Sequence, residues 1–301
     1  MLHVTNGDLL ATRIAAAQAA GHVPAGDLLP WRDVLHEGPV PSGGDAWLRA
    51  SRAAFLSAAG HGDAAAIEAT LQARDERLDA ALAAGEGVVL WFDGDLYDRL
   101  QLGQVAARLV AARAAGMLIE VDERGRADVA ELWGTRRQLP AFLVATLAAE
   151  WEALRDGRLD EVPLRLRQEL PWTTDGLALS ERLALLAIEA GAESFEEVFA
   201  AQAALEERPF LGDVWLRARL RGLAPLLDGG APASAGAGAG TGADAMPYAL
   251  SALGRAVLGG QTDAIAACGL DRWVGAVRLT AAEHLRWEPQ TGTVVRYASP
   301  R

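Results

Sequence analysis

The chain has 301 residues, 51% of them hydrophobic, which is enough for two domains at about 100–200 residues each. It contains no lysine: its 28 basic residues are all arginine, against 40 acidic residues, and the formal net charge is −12. Without lysine, Schiff-base chemistry, pyridoxal-phosphate anchoring and lysine-containing phosphate loops are excluded. The single cysteine, Cys268, excludes an intrachain disulfide and a multi-thiolate metal site.

The acidic charge is spread along the chain, with 13 arginines against 19 acidic residues in 1–138 and 15 against 21 in 139–301. Because neither half is basic, this balance argues against DNA as a partner. No run of about 18 uncharged apolar residues occurs, so we expect no membrane-spanning helix and no membrane partner. The N-terminal residues lack the basic region and apolar run of a signal peptide, and a cytoplasmic bacterial protein is therefore expected.

Strands and helices alternate in the hydrophobic pattern of residues 1–138. Five consecutive apolar residues at Val88–Phe92 predict a strand that is buried on both faces, which is typical of parallel sheets. Further strands are expected at Leu2–Thr5, 27–35 and 117–121, and helices at 9–21, at 45–85 in two pieces of which Asp63 caps the second, and at 96–115. This alternation predicts parallel βαβ units, and hence an α/β, Rossmann-like domain over residues 1–138.

Residues 139–301 are predicted to form a mainly helical second domain. Helices are expected at 140–155, 180–190, 194–204 and 210–227, with a turn at 171–176, and Ser194 and Glu197 have the spacing of a capping box. A segment from Tyr248 to Leu258 follows with the pattern Y-x-L-S-x-x-G-x-x-x-L. Three helices followed by such a segment are similar to a winged helix, so we expect a winged-helix-like domain.

Between the third of these helices and that segment, residues 229–245 are almost entirely Gly, Ala, Ser and Thr. A segment of this composition has no apolar side chains to bury, so the sequence predicts a disordered surface loop. The alternative function for it is a flexible lid.

Three clusters of polar side chains each follow a predicted strand. Because the carboxyl ends of parallel strands lie at one edge of a sheet, where ligands bind in α/β folds, we expect the clusters to converge. The predicted catalytic residues are Asp8, Asp33, His36 and Asp93. The predicted ligand-binding residues are His3, Asn6, Trp31, Arg32, Glu37, Asp95, Asp98 and, from the second domain, Arg272.

Each cluster also has a purely structural interpretation. Asp8 can cap the first helix, and Asp93 or Asp95 can cap the helix at 96–115. His36 can be a turn residue bonded to backbone, and Trp31 can serve packing alone.

Carboxylates and two histidines without lysine suit general acid–base chemistry or coordination of a divalent metal. A metal site formed by His3, Asp8, His36 and Asp93 is one such arrangement, although no contiguous ligand motif supports it. Converging carboxylates repel one another, so an arginine, a cation or a raised pKa must relieve the charge. Arg32 is the arginine nearest in sequence.

Arg272 lies in the dense segment 269–275, ahead of Trp287. One interpretation is a tryptophan-anchored strand with a surface ion pair between Asp271 and Arg272. The other is that Arg272 reaches an anionic ligand or the acidic crevice of the first domain.

Residues 3–8, 31–40 and 91–102 resemble a bacterial family known as domain of unknown function 1835. Residues 210–213 and 270–275 are similar to the region that accompanies this domain in full-length members. The chain departs from the family pattern at Leu9, where serine is usual, and at Gly94, where histidine is usual. The resemblance implies that the three clusters form one unit, and it brings no known activity.

Two functions follow from these observations. The clustering favours a small-molecule ligand-binding or catalytic crevice at the strand ends of the first domain. The absence of a nucleophile favours a regulatory or interaction module, in which the winged-helix-like half binds a protein or peptide.

Overall fold

The computed structural model describes residues 1–121, 128–228 and 247–298. Its chain forms two compact units. Unit 1 comprises Met1–Val162 together with Val274–Ala276, and unit 2 comprises Pro163–Trp273 and the chain from Val277 onward. The protein is of the mixed α/β class, as predicted. Within the described ranges, no helix is both long enough and apolar enough to cross a membrane.

Unit 1 has the predicted alternation of strands and helices. Its strands are β1 (Leu2–Thr5), β2 (Asp27–Pro30), β3 (Val88–Phe92), β4 (Gly116–Glu120) and β5 (Arg137–Gln138), and its helices are α1 (Asp8–Ala19), α2 (Asp45–Ala58), α3 (Ala64–Ala83), α4 (Leu96–Ala112), α5 (Val129–Gly134) and α6 (Ala141–Asp156).

One five-stranded sheet forms the centre of unit 1, in the order β2-β1-β3-β4-β5. The first four strands in this order are parallel, and β5 runs antiparallel to β4. Thr5 in β1 pairs with Pro30 in β2 and with Trp91 in β3, so these three strands end at the same edge of the sheet. We call this the carboxyl edge.

Side chains of β3 alternate between the two faces of the sheet, as the two-residue period of a strand requires. Val88, Leu90 and Phe92 join the core beneath α3, α4 and α6, whereas Val89 and Trp91 join the core beneath α1 and α5. Both faces of β3 are therefore buried, which confirms the prediction made from its five apolar residues.

The second strand was predicted to extend over 27–35, but β2 ends at Pro30. Beyond it the chain loops, and the Arg52 side chain donates hydrogen bonds to the carbonyls of Val34, Glu37 and Pro39 at 2.9, 2.7 and 3.2 Å. These carbonyls are satisfied by a guanidinium and not by a neighbouring strand. The predicted cap at Asp63 is confirmed, because its side chain accepts the Ala66 N–H at 3.0 Å.

Helix α6 belongs to unit 1, although the sequence pattern predicts a domain boundary before it, between residues 138 and 139. It packs closely on α4 at Gly103, where an added Cβ would lie 3.1 Å from the Leu147 carbonyl oxygen and 3.5 Å from Trp151 Cβ. The sheet needs a cover on this face, and α6 completes it. Unit 1 consequently extends to Val162.

Unit 2 combines helices with three two-stranded sheets, β6-β7, β8-β9 and β10-β11. Its described elements are the helices α7 (Leu164–Arg167), α8 (Leu179–Glu189), α9 (Phe195–Ala204), α10 (Asp213–Gly222), α11 (Ala252–Leu258) and α12 (Ala264–Cys268), and the strands β6 (Leu227–Asp228), β7 (Ala249–Leu250), β8 (Asp271–Val274), β9 (Val277–Thr280), β10 (Glu283–Glu288) and β11 (Thr293–Ala298).

The capping box at Ser194 and Glu197 is confirmed at the start of α9. The helix predicted over 210–227 is shorter, because α10 ends at Gly222 and a single 3₁₀ turn precedes β6. In the Y-x-L-S-x-x-G pattern, Ser251 caps α11, and Gly254 lies so close to Leu226 that a Cβ would be 2.2 Å from its carbonyl oxygen. The predicted loop at 229–245 lies outside the described residues.

Candidate functional site

Two of the three polar clusters meet where β1 and β3 end. These neighbouring strands continue into helices on opposite faces of the sheet, since α1 packs on one face and α4 on the other. Such a point in a parallel sheet leaves a crevice between the two departing chains. Asn6 follows β1 directly and Asp93 follows β3 directly, so both lie at this crevice.

Asp98, in the first turn of α4, joins the two chains. Asn6 Nδ2 donates to both carboxylate oxygens of Asp98, at 2.9 and 3.0 Å, and the Asp93 N–H donates to the same carboxylate. The Asp98 side chain is fully buried. We call Asn6, Asp93, Asp95 and Asp98 the carboxyl-edge site.

Burial raises the pKa of Asp98 to about 6, and the nearby charge of Asp93 contributes to the increase. The hydrogen bonds from the Asp93 amide and from Asn6 oppose it, because they favour the ionised form. The balance leaves a buried carboxyl group that exchanges its proton close to neutral pH.

Asp95 is the residue that caps α4. Its side chain accepts the Asp98 N–H at 2.8 Å, whereas the Asp93 carboxylate accepts the N–H of Gly94. The structural interpretation is thus confirmed for Asp95, whereas the Asp93 carboxylate binds the backbone of the turn before the cap.

We expect Asp95→Ala to lower the free energy of unfolding by about 1 kcal/mol, because the helix loses its cap. Asp95→Asn is expected to be nearly neutral, since asparagine caps a helix as well as aspartate does. Urea denaturation of both variants measures the difference. Asp93→Ala is the matched control, and an equal loss in that variant would contradict the assignment of the cap to Asp95.

Asp8 connects the first cluster to the second. It is the first residue of α1 and not its cap: the cap position is Gly7, and no side chain caps this helix. Arg32 donates to the two carboxylate oxygens of Asp8, through Nε at 2.7 Å and through Nη2. These hydrogen bonds lower the pKa of Asp8. Arg32 therefore relieves acidic charge at this edge, as the sequence predicted, although both side chains are more than half exposed.

Asp33 is held in a buried ion pair. Its Oδ1 accepts hydrogen bonds from Arg52 at 3.0 Å (Nε) and 2.8 Å (Nη2), and both side chains are 1% exposed. Its carbonyl oxygen accepts the Gln101 Nε2 at 2.8 Å, which ties the second cluster to α4. The buried His36 ring meets Tyr97 edge-on at 5.8 Å. Burial also raises the pKa of Tyr97 to about 12.

His3 and Trp31 lie in the cores of unit 1 and not in the crevice. His3 is fully buried, its Nδ1 accepts the Trp91 Nε1–H at 3.1 Å, and burial lowers its pKa. Trp31 is equally buried and donates from Nε1 to Gln104 Oε1 at 2.9 Å, with the Arg74 guanidinium over its ring. The packing interpretation is confirmed for Trp31. Glu37 is half-buried, and its carbonyl accepts Arg52.

Arg272 is bound inside unit 2. Its Nη1 donates to Glu181 at 3.0 Å and its Nη2 to the carbonyl of Glu169 at 2.6 Å. The predicted surface pair between Asp271 and Arg272 is wrong, because Asp271 binds Arg278 across β8 and β9 instead. The predicted strand itself is confirmed as β8.

The donor set does not fit a metal ion. Across the described ranges, no group of three or more His, Cys, Asp and Glu side chains is placed to hold one. His3, Asp8, His36 and Asp93 in particular do not form a site, because His3 lies in the core and Asp8 is turned to Arg32. The arrangement at the carboxyl edge suits hydrogen bonding and proton transfer.

Sequence reasoning missed Arg52 and the buried polar side chains of α4. Gln101 and Gln104 are 0% and 4% exposed, and together with Tyr97 they recur at helical spacing along the side of α4 that meets the loop after β2. A polar stripe at positions 97, 101 and 104 of an otherwise apolar helix was the available signal.

The comparisons with known proteins return no match: no family model, no curated protein and no solved structure is similar to this chain.

Proposed function

We propose that unit 1 binds a small polar molecule at the carboxyl-edge site, and that the protonation state of Asp98 controls this binding. The observation that carries this proposal is the buried Asp98 carboxyl, whose pKa is raised to about 6 between two strand ends. A carboxyl group with such a pKa is ionised in part near neutral pH, so it can accept and return a proton. Structural carboxylates are ordinarily stabilised in the ionised form, which lowers their pKa.

The half-buried residues of the site have a different role from that of Asp98. Asn6 and Asp93 are half-buried, so they can contact a ligand directly while their other atoms hold Asp98. In this proposal Asp93 accepts hydrogen bonds from hydroxyl or amine groups of the ligand. Asp98 lies behind Asp93 and is a positioning residue. The protonation state of its carboxyl group determines the charge that faces the Asp93 amide and Asn6.

The turn between β1 and α1 is open toward solvent. A Cβ placed on Gly7 would meet no atom within 4 Å. No side chain caps α1, so in this proposal its first N–H groups donate to a polar group of the ligand. This opening supports a binding crevice at the point where parallel sheets commonly hold one.

The test follows the Asp98 carboxyl carbon by NMR as a function of pH. We expect a midpoint near 6 in the wild type. The pKa of Asp98 in the folded chain lies above the ordinary value of 3.8. Protonation of Asp98 therefore stabilises the folded state fully below about pH 4, and this stabilisation is lost as the pH rises through 6. Asp98→Asn should remove this dependence. An Asp98 midpoint near 4 would contradict the proposal.

Binding is tested by saturation-transfer NMR with a panel of small polyhydroxylated and amino compounds at pH 5 and pH 7.5. We expect compounds that bind more tightly at pH 7.5, because ionised Asp98 adds negative charge to the site. Asp93→Asn should abolish this binding, and Asp27→Asn, at an exposed ion pair elsewhere in unit 1, should not. Binding that is unchanged by Asp93→Asn and by the change of pH would refute the assignment of the ligand to the carboxyl-edge site.

For the fold we propose the finer classes that the sequence favours: Rossmann-like for unit 1 and winged-helix-like for unit 2. The strand order and the helices on both sheet faces support the first, and the three helices α8–α10 followed by short strands support the second. We also propose membership of the domain of unknown function 1835 family. Hydrogen bonds among its three motif segments support it, at Asn6–Asp98, Arg32–Asp8 and Gln101–Asp33.

The alternative function, a regulatory module acting through unit 2, requires a protein or peptide partner. The observation that bears on it is charge. Arg165, Arg219, Arg272 and Arg286 each bind a carboxylate within unit 2, so these cations are engaged and not presented to phosphates. These four arginines are consequently not available to form a basic face.

A further inference from the structure

A cavity lies among the helices of unit 1, away from the carboxyl-edge site. Its volume is about 620 Å³, within the range of roughly 300–1,000 Å³ that small-molecule sites occupy. Helix α4 runs from the carboxyl end of β3 back to the start of β4, and its lining residues, Gln104–Ala112, belong to the second half of this helix. The cavity therefore lies toward the opposite edge of the sheet.

Small side chains keep this cavity open. Ala107, Ala111 and Ala112 of α4 line it together with Ala83 of α3, and Trp151 of α6 contributes an aromatic wall. A ligand with an aliphatic body would bury apolar surface against these residues.

The first arginine in the cavity has its donors engaged. Arg108 Nη1 binds Asp79 at 2.7 Å, and Nη2 binds Asp45 and Asp75, both at 2.9 Å. Three carboxylates thus surround one guanidinium. An anionic ligand would have to displace them, so Arg108 does not offer a free anion site.

The second arginine is engaged as well. Arg155 donates from Nε to the Pro41 carbonyl at 3.4 Å and from Nη2 to the Gly43 carbonyl, and Nη1 lies 3.6 Å from Glu152. Both lining cations are therefore satisfied by the protein.

The carboxylates that line the cavity, unlike the arginines, still have unused hydrogen-bonding positions. Asp45, Asp79 and Glu152 are 52%, 54% and 49% exposed. An ionised carboxylate offers about four acceptor positions, and the arginines use only some of them. The cavity consequently presents spare acceptors to a ligand that donates hydrogen bonds and carries positive charge.

At the inner wall the cavity presents a donor. Gln104 is 4% exposed and lines the cavity, and its Oε1 already accepts Trp31 Nε1. Its Nε2 is therefore the atom of this side chain that can donate a hydrogen bond to a ligand. A carbonyl oxygen is the matching group, because an amide nitrogen donates and does not accept.

We propose that this cavity binds a small organic ammonium compound that has an aliphatic stem and a carbonyl group at its far end. The ammonium group lies against Asp45, Asp79 and Glu152, the stem packs on Trp151 and the alanines, and the carbonyl accepts from Gln104. This site is independent of the function proposed for the carboxyl edge.

N-acetylputrescine is the probe, because it has the ammonium group, a four-carbon stem and the carbonyl. Its dissociation constant is measured by isothermal titration calorimetry on the full chain. Two isosteres separate the contributions: N-pentylacetamide lacks the ammonium group and n-heptylamine lacks the carbonyl. We expect each to bind about tenfold more weakly or worse, the effect of losing a charge-assisted hydrogen bond or a buried one.

Two variants place the binding in this cavity. Ala111→Phe fills it from an exposed helix position, and Asp45→Asn with Asp79→Asn removes two of its carboxylates while Asp75 still pairs with Arg108. Both changes should weaken the binding of N-acetylputrescine about tenfold or more. The matched controls are Ala69→Phe, at an exposed position of α3 outside the cavity, and Asp27→Asn, at the exposed ion pair with Arg77.

The proposal is overturned by any of three results. These are no heat of binding at millimolar probe in the wild type, equal affinity for N-pentylacetamide, or unchanged binding in the cavity variants. Urea denaturation of each variant confirms that it is folded. Asp98→Asn should leave this binding unchanged, so failure here and failure of the carboxyl-edge proposal are distinguishable.

Discussion

Replacing Arg52 by methionine is expected to destabilise the protein by about 3–5 kcal/mol, the usual cost of leaving one member of a buried ion pair alone. The variant keeps an unbranched apolar stem and removes the guanidinium charge that holds Asp33. It also removes the guanidinium hydrogen bonds to three loop carbonyls, those of Val34, Glu37 and Pro39. Urea denaturation at pH 7 measures the loss.

The matched control is Arg77→Met. Arg77 pairs with Asp27 at 2.7 Å, but the two side chains are 31% and 70% exposed, so this change should cost at most about 1 kcal/mol. Adding Asp33→Leu to Arg52→Met should recover part of the stability, because the buried unpaired charge is removed. If Arg52→Met costs no more than Arg77→Met, then Asp33 is not buried as described.

A second large effect is expected in unit 2, at Glu169. This carboxylate is 3% exposed and accepts hydrogen bonds from Ser180 Oγ at 2.6 Å, from Arg219 Nη1 at 2.8 Å and from Arg165. Burial alone would raise its pKa, but the charges of Arg165 and Arg219 and the Ser180 hydrogen bond outweigh burial and lower the pKa to about 2.

The pH dependence follows from this direction. The pKa is about 2 in the folded chain against an ordinary value of 4.5, so the stabilisation is complete above pH 4.5 and is lost as the pH falls toward 2. Its size is about 3 kcal/mol. Glu169→Gln should remove this loss and, at pH 7, should itself cost about 3 kcal/mol, because the partly buried Arg165 and Arg219 lose their shared carboxylate partner.

Urea midpoints at several pH values between 5 and 2 test this expectation. Glu283→Gln is the control, because Glu283 pairs with Arg296 at a position where both side chains are well exposed. That variant should keep the wild-type pH dependence. A wild-type stability that is flat between pH 4.5 and 2 would show that Glu169 is not held ionised.

The sheet of unit 1 was predictable because its strands are local patterns. Leu2–Thr5 alternates between apolar and polar residues and Val88–Phe92 is an apolar run, both are bounded by Gly, Asn or Asp, and the structure has strands at these bounds. The convergence of Asn6 with the residues after β3 was equally predictable, because the carboxyl ends of parallel strands share an edge.

The roles of the individual polar residues were not predictable, because burial depends on contacts distant in sequence. Asp33 and Asp93 are both acidic residues after a strand, yet Arg52 encloses the first and the second stays half-buried. His3 alternates with Leu2 and Val4 on β1, and only the helices that cover its face decide whether it meets solvent or Trp91. No periodicity in one strand contains that information.

The contact between His3 and Trp91 has a consequence for the tautomer of the imidazole. Because Nδ1 accepts the indole N–H at 3.1 Å, it carries no proton, and the hydrogen of the neutral ring resides on Nε2. A second proton on the ring would place two N–H groups face to face in a dry core. Protonation of His3 would therefore break its hydrogen bond with Trp91, whose ring stacks on Trp133.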